Sequence, residues 1–223
     1  MQQVTNIKGV LIMWIWLLSI LVGSYLVGCL HGARVAQMIS GVNLKEAGVK
    51  NFGASNATIV LGKKFGALVA IIDIAKGTLV ILLTYLIAGQ IGLSNEASSL
   101  IIFAAGAAVV IGHVFPFHMK FNGGKGTATI IGVLFGIDWR FGLLAFILFV
   151  LASLVTDFLV FGVLMLYLTF FAISVWLAPG IWPPIIAAVL FLIAVVKHIE
   201  NFHRMKHGEE KRVSAVFKKK RLV

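Results

Sequence analysis

The chain has 223 residues, of which 60% are hydrophobic and only 12% are charged, and its formal net charge is +11. A soluble domain averages about 25% charged residues, so this composition excludes an ordinary soluble protein and predicts an integral membrane protein. The basic residues lie in loops between apolar segments and in the tail, a pattern typical of membrane topology rather than of nucleic-acid binding.

Apolar segments along the chain predict about seven transmembrane helices, some of them short or broken. The uncharged run Val10–Leu30 is too long for a signal-peptide core and lacks a convincing cleavage site, so we interpret it as a retained first span. We expect one all-α transmembrane domain over residues 1–223, with a basic cytoplasmic tail from about 198 to 223. The predicted spans are 10–32, 66–88, 97–117, 127–137, 141–156, 158–178 and 182–197.

The number of spans between residues 127 and 178 is ambiguous by length and is decided by charge. Seven spans with the N-terminus outside place the basic loops 33–65 and 118–126 and the tail together on the cytoplasmic side, whereas six would separate the first loop from the tail. We therefore expect a multi-pass plasma-membrane protein whose fourth span is short or broken at Gly132 and Gly136. Backbone freed by a break must be buried in protein or line a cavity.

The loop after the first span contains the segment Gly48–Asn56, which is rich in glycines and side-chain amides. Flexible backbone amides, polar side chains and a lysine together suit an anion such as phosphate. Asn and Gly are also ordinary turn residues, so a plain connector is the alternative. The candidate ligands in this loop are Lys50, Asn51, Gly53, Ser55 and Asn56.

A second glycine-lysine segment, Phe121–Thr127, leads directly into the short fourth span. A phosphate at that helix start would meet free amides and the positive end of the helix dipole, although a plain turn is again the alternative. The segment is not a Walker A loop, because Lys125 is followed by Gly126 and position 119 is not glycine. ATP hydrolysis is therefore not predicted.

Two charged residues, Asp73 and Lys76, lie three positions apart within the second span. Charges in hydrocarbon are costly, so such residues usually face the protein interior and pair with one another. The pair is interpreted either as a structural ion pair that locks helices together or as part of the site, with Lys76 reaching a phosphate.

Histidines mark the ends of two spans. His113 precedes Phe115-Pro116 and is either a general base or a hydrogen-bonded interface residue. The tail histidines do not form a convincing metal set, so no metal or other cofactor is expected. Cys29, the single cysteine, lies within a span, and no serine shows a nucleophile-elbow pattern, so covalent catalysis is not predicted.

Taken together, these motifs resemble the PlsY family, the membrane acyltransferases that use acyl-phosphate to acylate glycerol 3-phosphate. The resemblance covers nearly the whole chain. It implies a seven-span fold, a cytoplasmic active site, no acyl-enzyme intermediate, and two phosphate-bearing substrates held by the glycine loops and basic side chains. The matching motifs are Gly23-Ser24, Asn51-x-Gly-Ala-x-Asn56, Leu61-Gly62, Asp73-x-x-Lys-Gly77, Gly112-His-x-Phe-Pro116, Phe121-x-Gly-Gly-Lys-Gly-x-Ala-Thr129, His198-x-x-Asn201-x-x-Arg204 and Gly208-x-Glu210.

The sequence also departs from the family's pattern. Val49 stands where the family has a serine, and Ile59 stands where it has an arginine. Near the boundary of the fifth and sixth spans, Thr156–Val160 lacks the arginine and the serines that the family usually shows. These losses support one alternative, a catalytically silent paralogue that binds acyl-phosphate or lipid as a regulator or scaffold. A small anion transporter is a second alternative, compatible with a broken helix and an intramembrane ion pair.

The resemblance implies an acyltransferase that moves a fatty acyl group from acyl-phosphate to glycerol 3-phosphate, giving lysophosphatidic acid in phospholipid biosynthesis. Its expected partners are these two substrates and membrane lipids, with no nucleic acid. The catalytic candidates are His113, Asn56 and His198, of which His113 either orients the substrate or accepts a proton. Substrate and phosphate binding are assigned to Lys50, Asn51, Gly53, Ser55, Lys76, Gly123, Gly124, Lys125, Thr129 and Asn201.

Overall fold

The computed structural model describes residues 2–216, and side chains are described from residue 11 to residue 215. Over this range the chain forms ten α-helices and two short 3₁₀ helices, at Phe117–Met119 and Val213–Val216, and no strand. The basic run Lys218–Arg221, expected to contact anionic lipid, lies outside the described residues. The α-helices are α1 (Gln2–Gly28), α2 (Gly32–Ser40), α3 (Ala54–Leu61), α4 (Lys63–Gln90), α5 (Asn95–Val114), α6 (Thr127–Ile137), α7 (Trp139–Thr156), α8 (Leu159–Leu177), α9 (Trp182–Lys197) and α10 (Ile199–Lys206).

Within the described residues, six helical segments are long and apolar enough to cross a membrane. The seventh apolar helix, α6, has 11 residues and is about 16 Å long, roughly half the hydrocarbon thickness of a bilayer. The prediction of an all-α membrane protein with about seven spans, the fourth of them short, is confirmed. The long segments are Leu11–Ser40, Lys63–Gln90, Asn95–Met119, Trp139–Thr156, Leu159–Leu177 and Trp182–Lys206.

The glycines of α6 pack this helix against α4. A Cβ on Gly132 would overlap the carbonyl oxygen of Ile74, and a Cβ on Gly136 would lie 2.6 Å from Cβ of Ile81. The Thr78 hydroxyl donates a hydrogen bond to the carbonyl of Gly132 across the same contact, at 2.9 Å. Small residues let membrane helices approach closely, so these glycines serve packing. The alternative prediction, a break at Gly132 and Gly136, is wrong because α6 is continuous.

The core lies among α4, α5, α6 and α8, where large side chains such as Tyr167, Phe170 and Leu134 are fully buried. The outer surface of the helices is also apolar, and Trp176 and Leu18 are among its exposed side chains. Lipid tails are as apolar as leucine, so exposed side chains of this kind are what a membrane-embedded surface presents. Burial therefore separates the protein interior from the lipid-facing surface more clearly than hydropathy does.

One end of the helix bundle is built from the segments that connect the spans. The loop predicted at 33–65 contains two short helices, α2 and α3, which pack on α4. Residues from this loop, from loop 115–126 and from segment 198–215 line one common cavity. These three segments are the ones that the charge pattern predicts on the same side of the membrane, and in the structure they meet at the same end of the helices.

Candidate active site

The cavity at this end of the helices has a volume of about 1120 Å³. Its polar wall comes from the two glycine-lysine loops and from the chain after α9. Its apolar wall includes Ile131, Phe146 and Phe149, which lie on α6 and α7. A cavity with one charged wall and one apolar wall suits an amphipathic ligand that carries a phosphate and an acyl chain.

Most of the predicted site residues meet in this cavity. Asn56, Lys76 and Thr129 do not line it, because all three are buried behind its wall. The Thr129 hydroxyl has no hydrogen-bond partner among the described residues. Direct substrate contacts by these three stay predictions. The predicted residues that line the cavity are Lys50, Asn51, Gly53, Ser55, His113, Gly123, Gly124, Lys125, His198 and Asn201.

The second loop folds back onto the end of α5. The amides of Gly123 and Gly124 donate to the carbonyls of Val114 and His113, each at 3.1 Å. A Cβ on Gly123 would lie 2.7 Å from Cδ of Pro116, and a Cβ on Gly124 would overlap the His113 ring. These glycines therefore allow the loop to lie directly against His113. Phosphate binding by their two amides stays a prediction, and it would require this backbone pairing to open.

The free amides of this loop lie one step further along the chain, at the start of α6. Gly126 occupies the N-cap with a φ of 84°, and no side chain caps the helix. The first amides of a helix have no intrahelical acceptor and form the positive end of its dipole. Lys125, Gly126, Thr127 and Ala128 all line the cavity. The N-terminus of α6 together with Lys125 is thus the best-formed anion site in the cavity.

Lys125 is held in place by a chain of hydrogen bonds from α10 and the residues after it. Its ammonium donates to Oδ1 of Asn201. The Asn201 amide donates to Oε1 of Glu210 at 2.7 Å, and Arg204 donates to Oε2 of the same carboxylate at 2.6 Å. Burial, followed by the nearby Arg204 charge, lowers the pKa of Lys125 to about 8. Lys125 is therefore a positioned cation that is still mostly protonated at neutral pH.

His113 lies at the end of α5 and lines the cavity. Its Nδ1 contacts buried groups. The Lys76 ammonium lies 2.8 Å from Nδ1 of His113 and 3.0 Å from the carboxylate of Asp73. It also donates to the carbonyls of Gly28 and Leu30, at 2.9 and 2.5 Å. The ammonium shares its three N–H groups among these four neighbours and cannot itself accept, so the form of Nδ1 that fits beside it is the one without a hydrogen, which leaves the hydrogen on Nε2. This geometry favours His113 as a hydrogen-bond donor over the proton acceptor that the sequence left open.

His198 has the opposite arrangement. Its Nδ1 lies 2.8 Å from the carbonyl oxygen of Ala194, which can only accept, so Nδ1 carries the hydrogen. Nε2 is then the unprotonated nitrogen, and the residue lines the cavity. His198 can accept a hydrogen bond or a proton from a ligand, so the two histidines supply complementary chemistry to the same cavity.

The first loop is organised around Asn56, whose side chain is fully buried. Its amide nitrogen donates to the carbonyls of Leu44, Ala47 and Asn51, at 2.8, 3.1 and 2.9 Å. Its amide oxygen accepts from the backbone of Val49 at 2.9 Å. The two N–H groups of the Asn56 amide are thus shared among three carbonyls of the loop, and its oxygen accepts one hydrogen bond there. A catalytic contact by Asn56 stays a prediction, and the present geometry leaves it no free donor.

The first loop also lines the cavity and contacts the second loop. Lys50 has a φ of 53°, in the left-handed region, and lines the cavity beside Val49. The Lys45 ammonium donates to the carbonyl of Asn122 and so ties the two loops together. Ile59, the other position that departs from the family's pattern, also lines the cavity. The first loop therefore contributes both a cation and apolar side chains.

His31 was not predicted as a site residue, yet it contacts His113 directly. Its ring nitrogens lie 2.8 Å from the carbonyl of Cys29 and 2.9 Å from the carbonyl of His113. Its ring also stacks on the His113 ring, with the centroids 4.7 Å apart. A single histidine after an apolar span gives no signal of such a contact, because the partner lies on α5, far away in sequence.

Comparisons with known proteins identify the family to which this chain is similar. The model of a family described as glycerol-3-phosphate acyltransferase matches residues 18–208. Glycerol-3-phosphate acyltransferase 1 of Oceanobacillus iheyensis is 40% identical over 196 residues, covering 88% of this chain and 94% of that protein. Glycerol-3-phosphate acyltransferase 1 of Deinococcus radiodurans is 37% identical over 192 residues, covering 85% of this chain and 92% of that protein.

The fold is also similar to crystal structures of PlsY, described as an integral membrane glycerol 3-phosphate acyltransferase. The glycerol 3-phosphate form matches with a TM-score of 0.78 and 29% identity, over 91% of this chain and 99% of that chain. The lysophosphatidic acid form matches with a TM-score of 0.75 and 29% identity, over 88% of this chain and 94% of that chain.

Proposed function

This chain belongs to the glycerol-3-phosphate acyltransferase family, and we propose that it transfers a fatty acyl group from an acyl-phosphate to glycerol 3-phosphate. The product is lysophosphatidic acid, a precursor for phospholipid biosynthesis. Relatives and solved structures that share most of the chain's length are named glycerol-3-phosphate acyltransferases. The observation that carries the proposal is the single cavity in which Lys125 and the α6 N-terminus face an apolar wall of α6 and α7.

The phosphate groups of both substrates suit the charged wall of the cavity, and the acyl chain suits its apolar wall. The phosphate groups bind at the start of α6, where free amides, the helix dipole and the Lys125 ammonium act together. Lys50 adds a second cation from the first loop. The acyl chain lies along Phe146 and Phe149, between the cavity and the spans. The charged and apolar parts of an acyl-phosphate thereby bring its carbonyl carbon to the boundary between the walls.

The reaction needs positioning more than a covalent enzyme intermediate, because an acyl-phosphate is already an activated mixed anhydride. A glycerol hydroxyl oxygen attacks the carbonyl carbon, and a new carbon–oxygen bond forms. The bond from that carbon to the phosphate oxygen breaks, and inorganic phosphate leaves with the electron pair. The hydroxyl proton passes to Nε2 of His198. The Nε2–H of His113 stabilises the negative charge that develops at the reacting centre.

We further propose that the cavity opens to the cytoplasm, with the N-terminus outside, in the plasma membrane. Basic residues around the cavity support this orientation under the positive-inside rule, among them Lys50, Lys63 and Lys64. Arg140 lies at the start of α7, whose other end adjoins the cavity, and it is paired with Asp138. The end of the bundle that surrounds the cavity is therefore the more basic one.

The silent-paralogue and transporter alternatives have less support. Val49 and Ile59 make the cavity wall less polar than the family's pattern, but Lys50, Lys125, His113 and His198 all remain in it. The comparisons name enzymes, and α6 is a continuous helix rather than the broken one that favoured a transporter. We therefore retain the enzyme as the proposed function.

A donor comparison tests this proposal. Purified protein in detergent is given glycerol 3-phosphate with palmitoyl-phosphate, palmitoyl-CoA or palmitoyl-acyl carrier protein, and labelled lysophosphatidic acid is measured. We expect product with palmitoyl-phosphate and little with the two thioesters. An equal or faster rate with a thioester would contradict the donor assignment, and no product from any donor would contradict the acyltransferase itself.

A further inference from the structure

Asp157, at the end of α7, binds a segment from the far end of the described chain. Its backbone carbonyl accepts from the amide of Val213 at 3.0 Å. Its carboxylate accepts from the backbone amide of Ser214 at 2.7 Å and from the Ser214 hydroxyl at 2.9 Å. The same carboxylate pairs with the guanidinium of Arg212 at 3.3 Å. We call residues 209–215 the strap, since they lie along the cavity and are held by Asp157.

The strap is attached at a second point, on α10. The Glu210 carboxylate accepts from Asn201 and from Arg204, and its side chain is only 9% exposed. Asn201 is the residue that accepts from Lys125. Arg212 therefore lies between two anchors, one on the hydrogen-bond chain of Lys125 and one on the connection between α7 and α8.

Arg212 itself lines the cavity, as do Glu210, Lys211, Val213 and Ala215 of the strap. Its guanidinium lies over the Phe158 ring, 5.4 Å from the centroid. Within the described residues, the contact to Asp157 engages one terminal nitrogen of a group that has five N–H donors. The remaining donors belong to a side chain that is 65% exposed at the cavity. Arg212 is thus both positioned and able to donate further hydrogen bonds.

The connection Thr156–Val160 contains no basic residue of its own. Among the described residues, the strap brings Arg212 to this connection, and its neighbour Lys211 lines the same cavity. The strap also supplies a hydroxyl there, on Ser214. The family match ends at residue 208, before the strap begins.

We propose that Arg212, positioned by Asp157, is a further phosphate-binding residue of this acyltransferase. The proposal rests on the proposed function, because the ligand is the phosphate group of one of its two substrates. A guanidinium presents paired donors that match two phosphate oxygens, which suits either the acyl-phosphate or glycerol 3-phosphate. Asp157 is a positioning residue, since it acts through Arg212 and the strap and not on the ligand.

Steady-state kinetics of four single variants and one double variant test this assignment. Arg212→Gln removes the charge, and Arg212→Lys keeps the charge but loses the paired donors. Asp157→Gly removes the anchor while keeping the left-handed backbone, with a φ of 63°, that glycine adopts readily. Arg140→Gln is the matched control, because Arg140 is a similarly exposed arginine paired with Asp138 at 2.6 Å.

We expect Arg212→Gln to raise KM for one phosphate-bearing substrate about tenfold, the loss of one charge-assisted contact. Arg212→Lys should raise the same KM by less. Asp157→Gly should also raise it, and the double variant Arg212→Gln/Asp157→Gly should be no worse than Arg212→Gln alone. The substrate whose KM rises identifies the phosphate that Arg212 binds.

The assignment is overturned if Arg212→Gln leaves both KM values unchanged, or if Arg140→Gln raises them equally. A second measurement, the change in Tm on ligand binding, tests this inference independently of the proposed function. If glycerol 3-phosphate or an acyl-phosphate raises the Tm of the wild type and not of Arg212→Gln, the inference holds even where no turnover is seen. Turnover in the wild type with unchanged KM in Arg212→Gln contradicts the inference and leaves the proposed function intact.

Discussion

The Lys76 ammonium lies 2.8 Å from Nδ1 of His113, and this contact determines which hydrogen-bonding group His113 presents to the cavity. Lys76 is 5% exposed and is balanced by Asp73, which is 1% exposed. The pair lies within α4, and its hydrogen bonds to the carbonyls of Gly28 and Leu30 and to the amide of Gly32 tie α4 to the ends of α1 and α2. Asp73 also lines the cavity, whereas Lys76 acts on it through His113. A contact of Lys76 with a phosphate stays a prediction.

Removing the charge of Lys76 should destabilise the protein. Lys76→Met leaves the Asp73 carboxylate buried without its cation, which costs about 3–5 kcal/mol. The double variant Lys76→Met/Asp73→Asn should recover much of the lost Tm in detergent, since no charge is then left unpaired. It should not recover kcat, because Nδ1 of His113 has lost the Lys76 donor, and an amide at position 73 would replace an oxygen that lies 3.6 Å from Nδ1, beyond hydrogen-bond distance. Full kcat in the double variant would contradict the role of Lys76 in orienting His113.

His198 should be needed as a proton acceptor and not only as a hydrogen-bonding group. His198→Ala is expected to lower kcat by about 10²–10⁴-fold, the usual contribution of a general base. His198→Gln restores an acceptor oxygen that cannot take a proton at neutral pH, so it should be about as slow. A glutamine variant with near wild-type kcat would show that His198 only orients the acceptor.

The pH dependence of glycerol 3-phosphate use should reflect Lys125. Because burial lowers the pKa of this lysine to about 8, the ammonium loses its proton at a lower pH than an exposed lysine does. The value of kcat/KM should therefore fall as pH rises through about 8. In Lys125→Arg the guanidinium stays charged at this pH, so the same fall should be absent. An identical fall in the arginine variant would assign the titration to another group.

Gly124 should tolerate no side chain. A Cβ at this position would overlap Nε2 of His113 and lie 3.0 Å from the carbonyl oxygen of Phe52. Gly124→Ala is expected to cost about 1–3 kcal/mol of stability and to displace His113, with a large loss of kcat. Gly23→Ala is the matched control, because a Cβ there has no neighbour within 4 Å. Equal Tm and kcat in the two variants would contradict the packing described for the loop.

The sequence predicted the spans well because hydropathy reports directly on burial in lipid. It predicted a short fourth span, and α6 has 11 residues. It did not predict the role of Gly132 and Gly136, since a glycine in a span can mark either a break or a close helix contact. The distinction depends on the neighbouring helix, here Ile74 and Ile81 of α4, which the local sequence does not identify.

The site was predicted in outline and not in its contacts. Lys125, His113 and His198 do meet in one cavity. Asn56 looked like a ligand because its side chain has donors and acceptors, but whether they point inward depends on the fold of the loop. No residue near Thr156–Val160 in the sequence replaces the missing basic and hydroxyl groups. In the structure the strap brings Arg212 and Ser214 to Asp157, across a sequence separation that no local pattern reveals.

The central claim is that Lys125 and the start of α6 bind the phosphate of a substrate during acyl transfer. The most direct test measures labelled lysophosphatidic acid formed from radiolabelled glycerol 3-phosphate and palmitoyl-phosphate, by the wild type and by Lys125→Ala in the same detergent. We predict clear product with the wild type and a loss of at least about tenfold in the variant. Equal product from both proteins would contradict the site, and no product from either would contradict the proposed reaction.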